Sequence, residues 1–167
     1  MIKDVDFEQL NVSDVNGKQL PPEYNAPQIP PVHDQPLTYS VASKLTPYNA
    51  NCHCGAVTYT VHIPSLTEHK VGACNCSICH INGYLFVYPE RQEIIFHSGY
   101  DHLRTYHFGT KRFSHKFCPT CGSSPLIDLN GRAPFGVDPL SVNVCPIYYL
   151  KEMQVLTKGD RFACFKM

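Results

Sequence analysis

The sequence has 167 residues, of which 43% are hydrophobic and 17% charged, a composition typical of one folded domain and not of a disordered chain. Its 14 lysines and arginines balance its 14 aspartates and glutamates, so no net positive charge attracts nucleic acid or an anionic membrane. The N-terminus lacks a secretory-signal pattern, and no apolar run reaches membrane-spanning length. We therefore expect a soluble, cytoplasmic protein that binds neither nucleic acid nor membrane.

Residues 1–48 are interpreted as a proline-rich N-terminal arm. They contain no cysteine but seven of the 14 prolines. Because proline restricts its own backbone angle and disfavours helix in the residue before it, the arm should be irregular and extended. Two interpretations stay open: a loosely held arm, or an ordered arm that wraps the domain, a partner subunit or the mouth of the active site.

Residues 49–167 are predicted to form a zinc-binding β domain. Residues 56–63 alternate between two faces with period two, which is typical of a half-buried strand. No stretch has a helical pattern of useful length, and the loop at 130–139 is long enough to border a site. The fold class is therefore all-β, built from short antiparallel strands. The other predicted strands are rich in β-branched or aromatic residues and cover 84–88, 93–96, 103–108, 126–129 and 141–144.

The nine cysteines indicate metal binding. An odd number in a protein with no sign of secretion is a poor disulfide framework. Cys145 and Cys164 lie outside any cluster and are predicted to be small core residues. The other seven form three short clusters: Cys52 and Cys54; Cys74, Cys76 and Cys79; Cys118 and Cys121.

The third cluster is a C-P-x-C-G knuckle, in which two sulfurs converge on one ion and the glycine permits a tight turn. Cys118 and Cys121 supply half of a tetrahedral four-thiolate zinc site. Cys52 and Cys54, which also precede a glycine and a predicted strand, are well suited to supply the other half. The sequence therefore predicts a structural zinc on these four residues.

The middle cluster has three thiols in six residues and no fourth cysteine nearby. A structural zinc is closed by four protein ligands, whereas a catalytic zinc keeps one position open, so Cys74, Cys76 and Cys79 predict a catalytic zinc. Three thiolates leave Zn(II) with net negative charge, which favours holding a substrate thiolate over activating water. Two alternatives stay open. A histidine (His80, His69 or His53) completes a second structural site, or the cysteines are metal-free and redox-active.

The three motifs together resemble the glutathione-dependent formaldehyde-activating enzyme family, which also contains the centromere protein V domain. They are C-H-C-G-A-V at 52–57, C-N-C-S-x-C at 74–79 followed by Gly83, and F-C-P-T-C-G-S at 117–123. The resemblance covers roughly residues 49–151 and implies a small β-tent fold with two zinc ions per chain. The resemblance implies that Cys52, Cys54, Cys118 and Cys121 bind the structural zinc. It implies that Cys74, Cys76 and Cys79 bind the zinc at which the substrate thiol reacts.

The resemblance also implies an activity: the condensation of glutathione with formaldehyde to S-hydroxymethylglutathione, formally a carbon–sulfur lyase reaction in reverse. We therefore expect a zinc-dependent enzyme of the carbon–sulfur lyase type. Its substrate would be a small thiol or carbonyl compound such as glutathione, and a homodimer is an open option. The alternatives are a same-fold enzyme acting on another small carbonyl or thio-adduct in a biosynthetic pathway, and a non-enzymatic zinc interaction module.

Substrate recognition is the point at which the sequence departs from the family. Members commonly carry a basic residue near His80, Ile81 and Asn82, and none stands there. The aromatic run at 84–88 is a candidate pocket wall, although its alternation also fits a core strand. No residue is singled out for substrate binding or for proton transfer.

Overall fold

The computed structural model describes residues 11, 13, 25–30, 45–68, 70–132 and 138–144. Within these ranges it contains two antiparallel sheets, one short helix and two 3-10 turns, at Arg91–Glu93 and Tyr100–His102. The predicted all-β fold class is confirmed. The strands are β1 (Thr46–Asn51), β2 (Thr58–Ile63), β3 (Gly72–Ala73), β4 (Leu85–Val87), β5 (Ile94–Ser98), β6 (Arg104–Tyr106), β7 (Ser114–Phe117), β8 (Leu126–Asp128) and β9 (Leu140–Asn143), with α1 at Ser77–Asn82.

The smaller sheet has three strands in the order β1-β2-β5. Its central strand, β2, is buried along its whole length, with Tyr59 and Val61 fully enclosed. The edge strand β1 begins at Thr46, so it includes residues that the sequence analysis assigned to the arm. Proline has no amide hydrogen to donate to a neighbouring strand. Pro47 is tolerated in β1 because one side of an edge strand has no neighbouring strand to bond.

The larger sheet has six strands in the order β3-β4-β9-β8-β7-β6. Directly opposite residues of antiparallel strands point to the same face, so the register tells which side chains share a surface. One face contributes Val87, Leu126 and Val142 to the main apolar core of the molecule. The opposite face carries Phe86 and Ile127, which belong to a second, smaller apolar cluster.

Each cysteine group is connected to one of these two cores. Cys52 and Cys118 are fully buried members of the main core. Cys79 belongs to the second cluster, together with Tyr84, Phe86 and Ile127. The division of the thiols into two groups therefore follows the division of the apolar interior.

Several local elements differ from the sequence predictions. Strands β1, β3 and β7 were not predicted. Pro47 opposes a strand in the first, Gly72–Ala73 is very short, and Ser114–Phe117 is rich in polar residues. The short helix α1 was also not predicted, since six residues hold too little periodicity to recognise. None of the helices in the described ranges has the length and apolar character to cross a lipid bilayer.

Some predictions concern residues outside the described ranges. Cys145, Cys164, His69 and the middle of the predicted site-bordering loop (133–137) are among them, as is most of the arm. The division of the chain at residue 48 therefore stays a prediction.

Candidate metal centres

The first group joins two knuckles that are far apart in the sequence. The sulfurs of Cys52, Cys54, Cys118 and Cys121 all lie within 4.8 Å of one another. Cys54 Sγ lies 3.5 Å from Cys52 Sγ and 3.7 Å from Cys118 Sγ, across a separation of 64 residues in the latter pair. Sulfurs bound tetrahedrally at about 2.3 Å to one ion are about 3.8 Å apart, so this spacing fits a shared metal ion. The cysteines are free thiols.

In both knuckles the amide of the trailing glycine closes the turn onto the first cysteine. The amide of Gly55 donates to the carbonyl of Cys52 at 2.9 Å, and the amide of Gly122 donates to the carbonyl of Cys118 at 2.8 Å. Both glycines have φ of +76°, a left-handed conformation that residues with a side chain rarely adopt. The glycine after each cysteine pair is therefore what allows the chain to turn back and bring its two sulfurs together.

Ser123 connects the knuckles and was not identified from the sequence. Its hydroxyl oxygen accepts a hydrogen bond of 3.2 Å from the amide of His53, in the first knuckle. The same hydroxyl lies 3.4 Å from the sulfur of Cys121, in its own knuckle. A serine two residues after a metal-binding cysteine is a usable signal, since its short side chain reaches back to the sulfur.

The thiols of this group differ strongly in acidity. Desolvation by burial raises the pKa of Cys52 to about 12, against the hydrogen bond that the amide of Val57 donates to its sulfur. Partial burial also opposes ionisation of Cys121, but the hydroxyl and backbone amide of Ser123 outweigh it and lower that pKa to about 6. Four thiolates cannot stay this close unless a cation compensates their charge. The group can hold a metal ion, and its sulfur donors are of the kind that zinc prefers.

A segment of the predicted arm contacts the first knuckle. Residues 25–30 are described, and Pro27 is partly buried. A side chain added at Gly55 would approach Pro27 Cβ to 3.3 Å, so the proline ring lies directly on the turn of the knuckle. This contact agrees locally with the interpretation of an ordered arm.

The second group is local in sequence. Cys74 follows β3, Cys76 is the N-cap of α1, and Cys79 lies within that helix. Their three sulfurs lie within 4.8 Å of one another. Cys74 is exposed and Cys79 is only 3% exposed, so the group lies at the surface with one ligand rooted in the second apolar cluster.

The start and end of α1 shape this group. Its first turn brings Cys76 and Cys79 to the same side, and the carbonyl of Cys76 accepts a hydrogen bond of 2.9 Å from the amide of His80. Burial opposes ionisation of Cys76, but hydrogen bonds from the backbone amide of Cys79, from the thiols of Cys79 and Cys74, and from the amide of Ile78 together outweigh it and lower the pKa. Burial, reinforced by the neighbouring thiols, raises the pKa of Cys79. The helix ends at Gly83, whose φ of +62° reverses the chain into Tyr84.

Of the three histidines proposed as a fourth ligand, the two that the structure describes do not join the three thiols. Neither His53 nor His80 is part of the three-thiol group, within the portion of the chain that the structure describes. His69 lies outside that portion.

The aromatic run 84–88 divides into two kinds of residue. Tyr84 and Phe86 are buried in the second cluster, 9% and 2% exposed, so they form core beneath the thiols. Tyr88 is 53% exposed, and its hydroxyl lies over Gly72 at the start of β3. Desolvation, followed by the charges of Cys74 and Cys79, raises its pKa. Of the three predicted wall residues, Tyr88 is therefore the exposed one, and the charges of two of the three thiols act on it.

Comparisons with known proteins agree with this arrangement. Residues 47–137, more than half of the chain, match the family model described as glutathione-dependent formaldehyde-activating enzyme. A crystal structure of a Rhodobacter sphaeroides protein superposes on this chain with a TM-score of 0.52 at 26% identity, covering 61% of this chain and 89% of that one. All seven clustered cysteines fall inside the matched residues. The chain therefore belongs to the glutathione-dependent formaldehyde-activating enzyme family.

Proposed function

We propose that this protein is a zinc-dependent enzyme of the carbon–sulfur lyase type, which makes or breaks the bond between a small thiol and a carbonyl carbon. S-hydroxymethylglutathione is the model adduct. The observation that carries the proposal is the three-thiol group: three sulfurs within 4.8 Å, one exposed, and no fourth ligand among the residues that the structure describes. Family membership supports the same class of chemistry.

The two groups would have different roles. Cys52, Cys54, Cys118 and Cys121 offer a complete tetrahedral set and would hold a structural zinc. Cys74, Cys76 and Cys79 would hold the second zinc. Bound there, zinc would supply an open coordination position able to accept a thiolate or polarise a carbonyl oxygen.

The residues around the three-thiol group suit this reaction. The exposed side, at Cys74, leaves room for the substrate, while Cys79 is held from below by the second apolar cluster. A tyrosine phenol is protonated at neutral pH, and the pKa of Tyr88 is raised further, so its hydroxyl can donate a hydrogen bond to an oxygen that gains charge. It is the candidate proton-handling group that the sequence alone did not identify.

The proposed step balances without an oxidant or reductant. The thiol sulfur attacks the carbonyl carbon and forms the C–S bond, while the electron pair of the C=O π bond moves to oxygen. That oxygen takes up the proton released by the thiol. Cleavage of the adduct is the same step reversed.

The first test is zinc content per chain, by elemental analysis, for the wild type and Cys76→Ser. We expect two zinc ions in the wild type and one in a variant that keeps its circular dichroism spectrum. The variant should also lose acceleration of adduct formation from glutathione and formaldehyde. A single zinc that survives the substitution would contradict the proposal and favour a redox or interaction module.

His80→Gln is the matched control for Cys76→Ser, because it changes a residue of the same helix. We expect it to retain both zinc ions. Loss of the second ion would mean that His80 closes the shell and that this site is structural.

Tyr88→Phe should keep both ions and lower turnover, which separates proton handling from metal binding.

A second candidate is a same-fold enzyme that uses another small carbonyl or thio-adduct. The observation that favours it is the surface of α1, which holds no lysine or arginine and leaves Ile81 57% exposed. A panel of thiols with formaldehyde and larger aldehydes tests this. Turnover that is higher without glutathione than with it would favour this second candidate.

A further inference from the structure

The last strand of the six-stranded sheet, β6, has a free edge within the described ranges. The strand order ends at β6, and its one partner there is β7. Every residue from 104 to 113 is exposed. Tyr106, Phe108 and Phe113 are three of the five exposed large apolar side chains among the described residues. An unpaired strand edge and a cluster of exposed rings are both features of a surface that another segment covers.

The two faces of this edge differ in chemistry. Tyr106 and Phe108 share one face, since alternate residues of a strand do so, and their rings stack at 11° with centres 6.1 Å apart. Thr105 points to the other face. Lys116 on β7 joins Thr105 there, because the two residues are directly opposite each other. A strand that fits this edge would be apolar on one face and acidic on the other.

The hairpin of β6 and β7 is basic, although the chain as a whole has no net charge. Residues 102–116 contain no aspartate or glutamate but four lysines and arginines, Arg104, Lys111, Arg112 and Lys116. Residues 1–24, by contrast, contain five aspartates and glutamates and two lysines. Opposite charges favour contact between these two segments. A second copy of β6 is a poor match for the edge, because it would bring like charges together.

Residues 4–8 of the predicted arm have the alternation that this edge requires. They read Asp-Val-Asp-Phe-Glu and lie outside the described ranges. In an extended segment, Val5 and Phe7 would share one face and the three carboxylates the other. The apolar pair would cover the stacked rings of the hairpin, and the carboxylates would face Lys116.

The length of the chain permits this contact. Pro27, in the described part of the arm, lies on the turn at Gly55 in the first knuckle. That knuckle shares the four-thiol group with Cys118, which directly follows the end of β7, and β7 ends opposite the start of β6. Residues 8 and 27 are 19 positions apart. An extended chain of that length spans about 60 Å, more than the diameter of a small domain.

We propose that residues 4–8 bind along the free edge of β6 in the same chain, as an added strand that covers the exposed rings of the hairpin. The backbone of the added strand would pair with the open N–H and C=O groups of the edge, while its side chains set which face meets the rings. A covered edge would no longer offer a template for pairing between molecules. This inference does not depend on the proposed function. Single-stranded nucleic acid fits less of the surface, because it stacks on rings but cannot continue a sheet.

The test follows amide hydrogen exchange by mass spectrometry in the full chain with zinc present. Phe7→Ser removes the apolar contact, and Asp6→Lys and Lys116→Glu each reverse one charge. Combining Asp6→Lys with Lys116→Glu exchanges the two charges and tests rescue, which a general folding defect would not show. Lys70→Glu is the matched control, because it reverses an exposed charge near the opposite edge of the same sheet, just before β3.

We expect the amides of residues 4–8 and 104–108 to be protected together in the wild type. Phe7→Ser should speed exchange of residues 104–108 about tenfold, the effect of exposing an aromatic contact. Each single charge reversal should speed it about threefold to fivefold, and the exchanged pair should return to within about twofold of wild type. Lys70→Glu should resemble the wild type.

Three outcomes would overturn the proposal. The first is unprotected exchange of residues 4–8 in the wild type, or equal exchange of residues 104–108 in the wild type and Phe7→Ser. The second is protection that rises with protein concentration while light scattering shows a dimer, which would assign the edge to the arm of a second copy. The third is protection of residues 104–108 that requires added oligothymidylate, which would assign the surface to single-stranded nucleic acid.

Discussion

The two cysteine groups differ in how their members are brought together, and this difference indicates different roles. The four-thiol group joins knuckles 64 residues apart and has two sulfurs fully buried in the main core. The three-thiol group is formed within six residues of a loop and helix and lies at the surface. A metal ion in the first would cross-link distant parts of the fold, whereas one in the second would cross-link little. Stability should therefore depend on the first, and chemistry on the second.

The most direct test of these two roles is to remove one ligand from each group and compare the losses of stability. We expect Cys118→Ser to cost on the order of 5 kcal/mol or more of unfolding free energy, enough to unfold a protein of ordinary stability. Cys76→Ser should change the melting temperature by only a few degrees. Thermal melts followed by circular dichroism, both with zinc present, measure the pair. Similar losses in the two variants would show that both groups are structural.

Two glycines allow the same comparison without touching a ligand. Gly99 has φ of +73°, and a side chain there would collide with the carbonyl oxygen of Ala56, just after the first knuckle. Gly83, at the end of α1, has φ of +62° but open space around it. We expect Gly99→Ala to cost about 3 kcal/mol and Gly83→Ala about 1 kcal/mol, because only the first adds a backbone collision to the left-handed conformation.

Urea unfolding of both glycine variants gives the two free energies directly. The prediction is that Gly99→Ala lowers the free energy of unfolding more than Gly83→Ala does, whatever the two individual values are. If Gly83→Ala proved the more damaging change, α1 and its cysteines would be the more important region for stability.

Metal release should also distinguish the groups. We expect a chelator to remove zinc in two phases, the faster from Cys74, Cys76 and Cys79, because an open site with an exposed ligand is easier to attack. The two rates should differ roughly tenfold or more. A colorimetric chelator follows both phases, and Cys76→Ser should abolish the fast phase alone. One phase in the wild type would argue against two distinct sites.

The smallest expected effect is that of Ser123→Ala. The hydroxyl of Ser123 supports both knuckles of the four-thiol group, so its loss should speed the slow phase of zinc release by about tenfold. The fast phase should be unaffected. Ser77→Ala, a serine on the exposed first turn of α1, serves as the matched control. An equal change in both phases would mean that Ser123 acts on the fold as a whole.

Strand prediction from the sequence succeeded where the side chains alternate between apolar and polar or are rich in β-branched and aromatic types. Alternation in residues 56–63 anticipated β2, and the β-branched and aromatic runs anticipated β4, β5, β6, β8 and β9 to within a few residues. It missed β7 because His115 and Lys116 have no particular preference for strands, and their pairing with β8 decides the matter. It missed β1 because Pro47 normally opposes a strand, except at an edge that only the sheet order reveals.

The sequence was enough to predict which cysteines come together locally, because the spacing within each cluster acts over a few bonds. The grouping of Cys52 and Cys54 with Cys118 and Cys121 could be anticipated by completing a ligand set. Tertiary structure decided what surrounds the thiols. Tyr84, Phe86 and Tyr88 have the same period-two spacing, yet two are core residues and one is exposed. Likewise, His115 on β7 and Ile127 on β8 share one face of the sheet, since strand pairing joins residues that no local pattern relates.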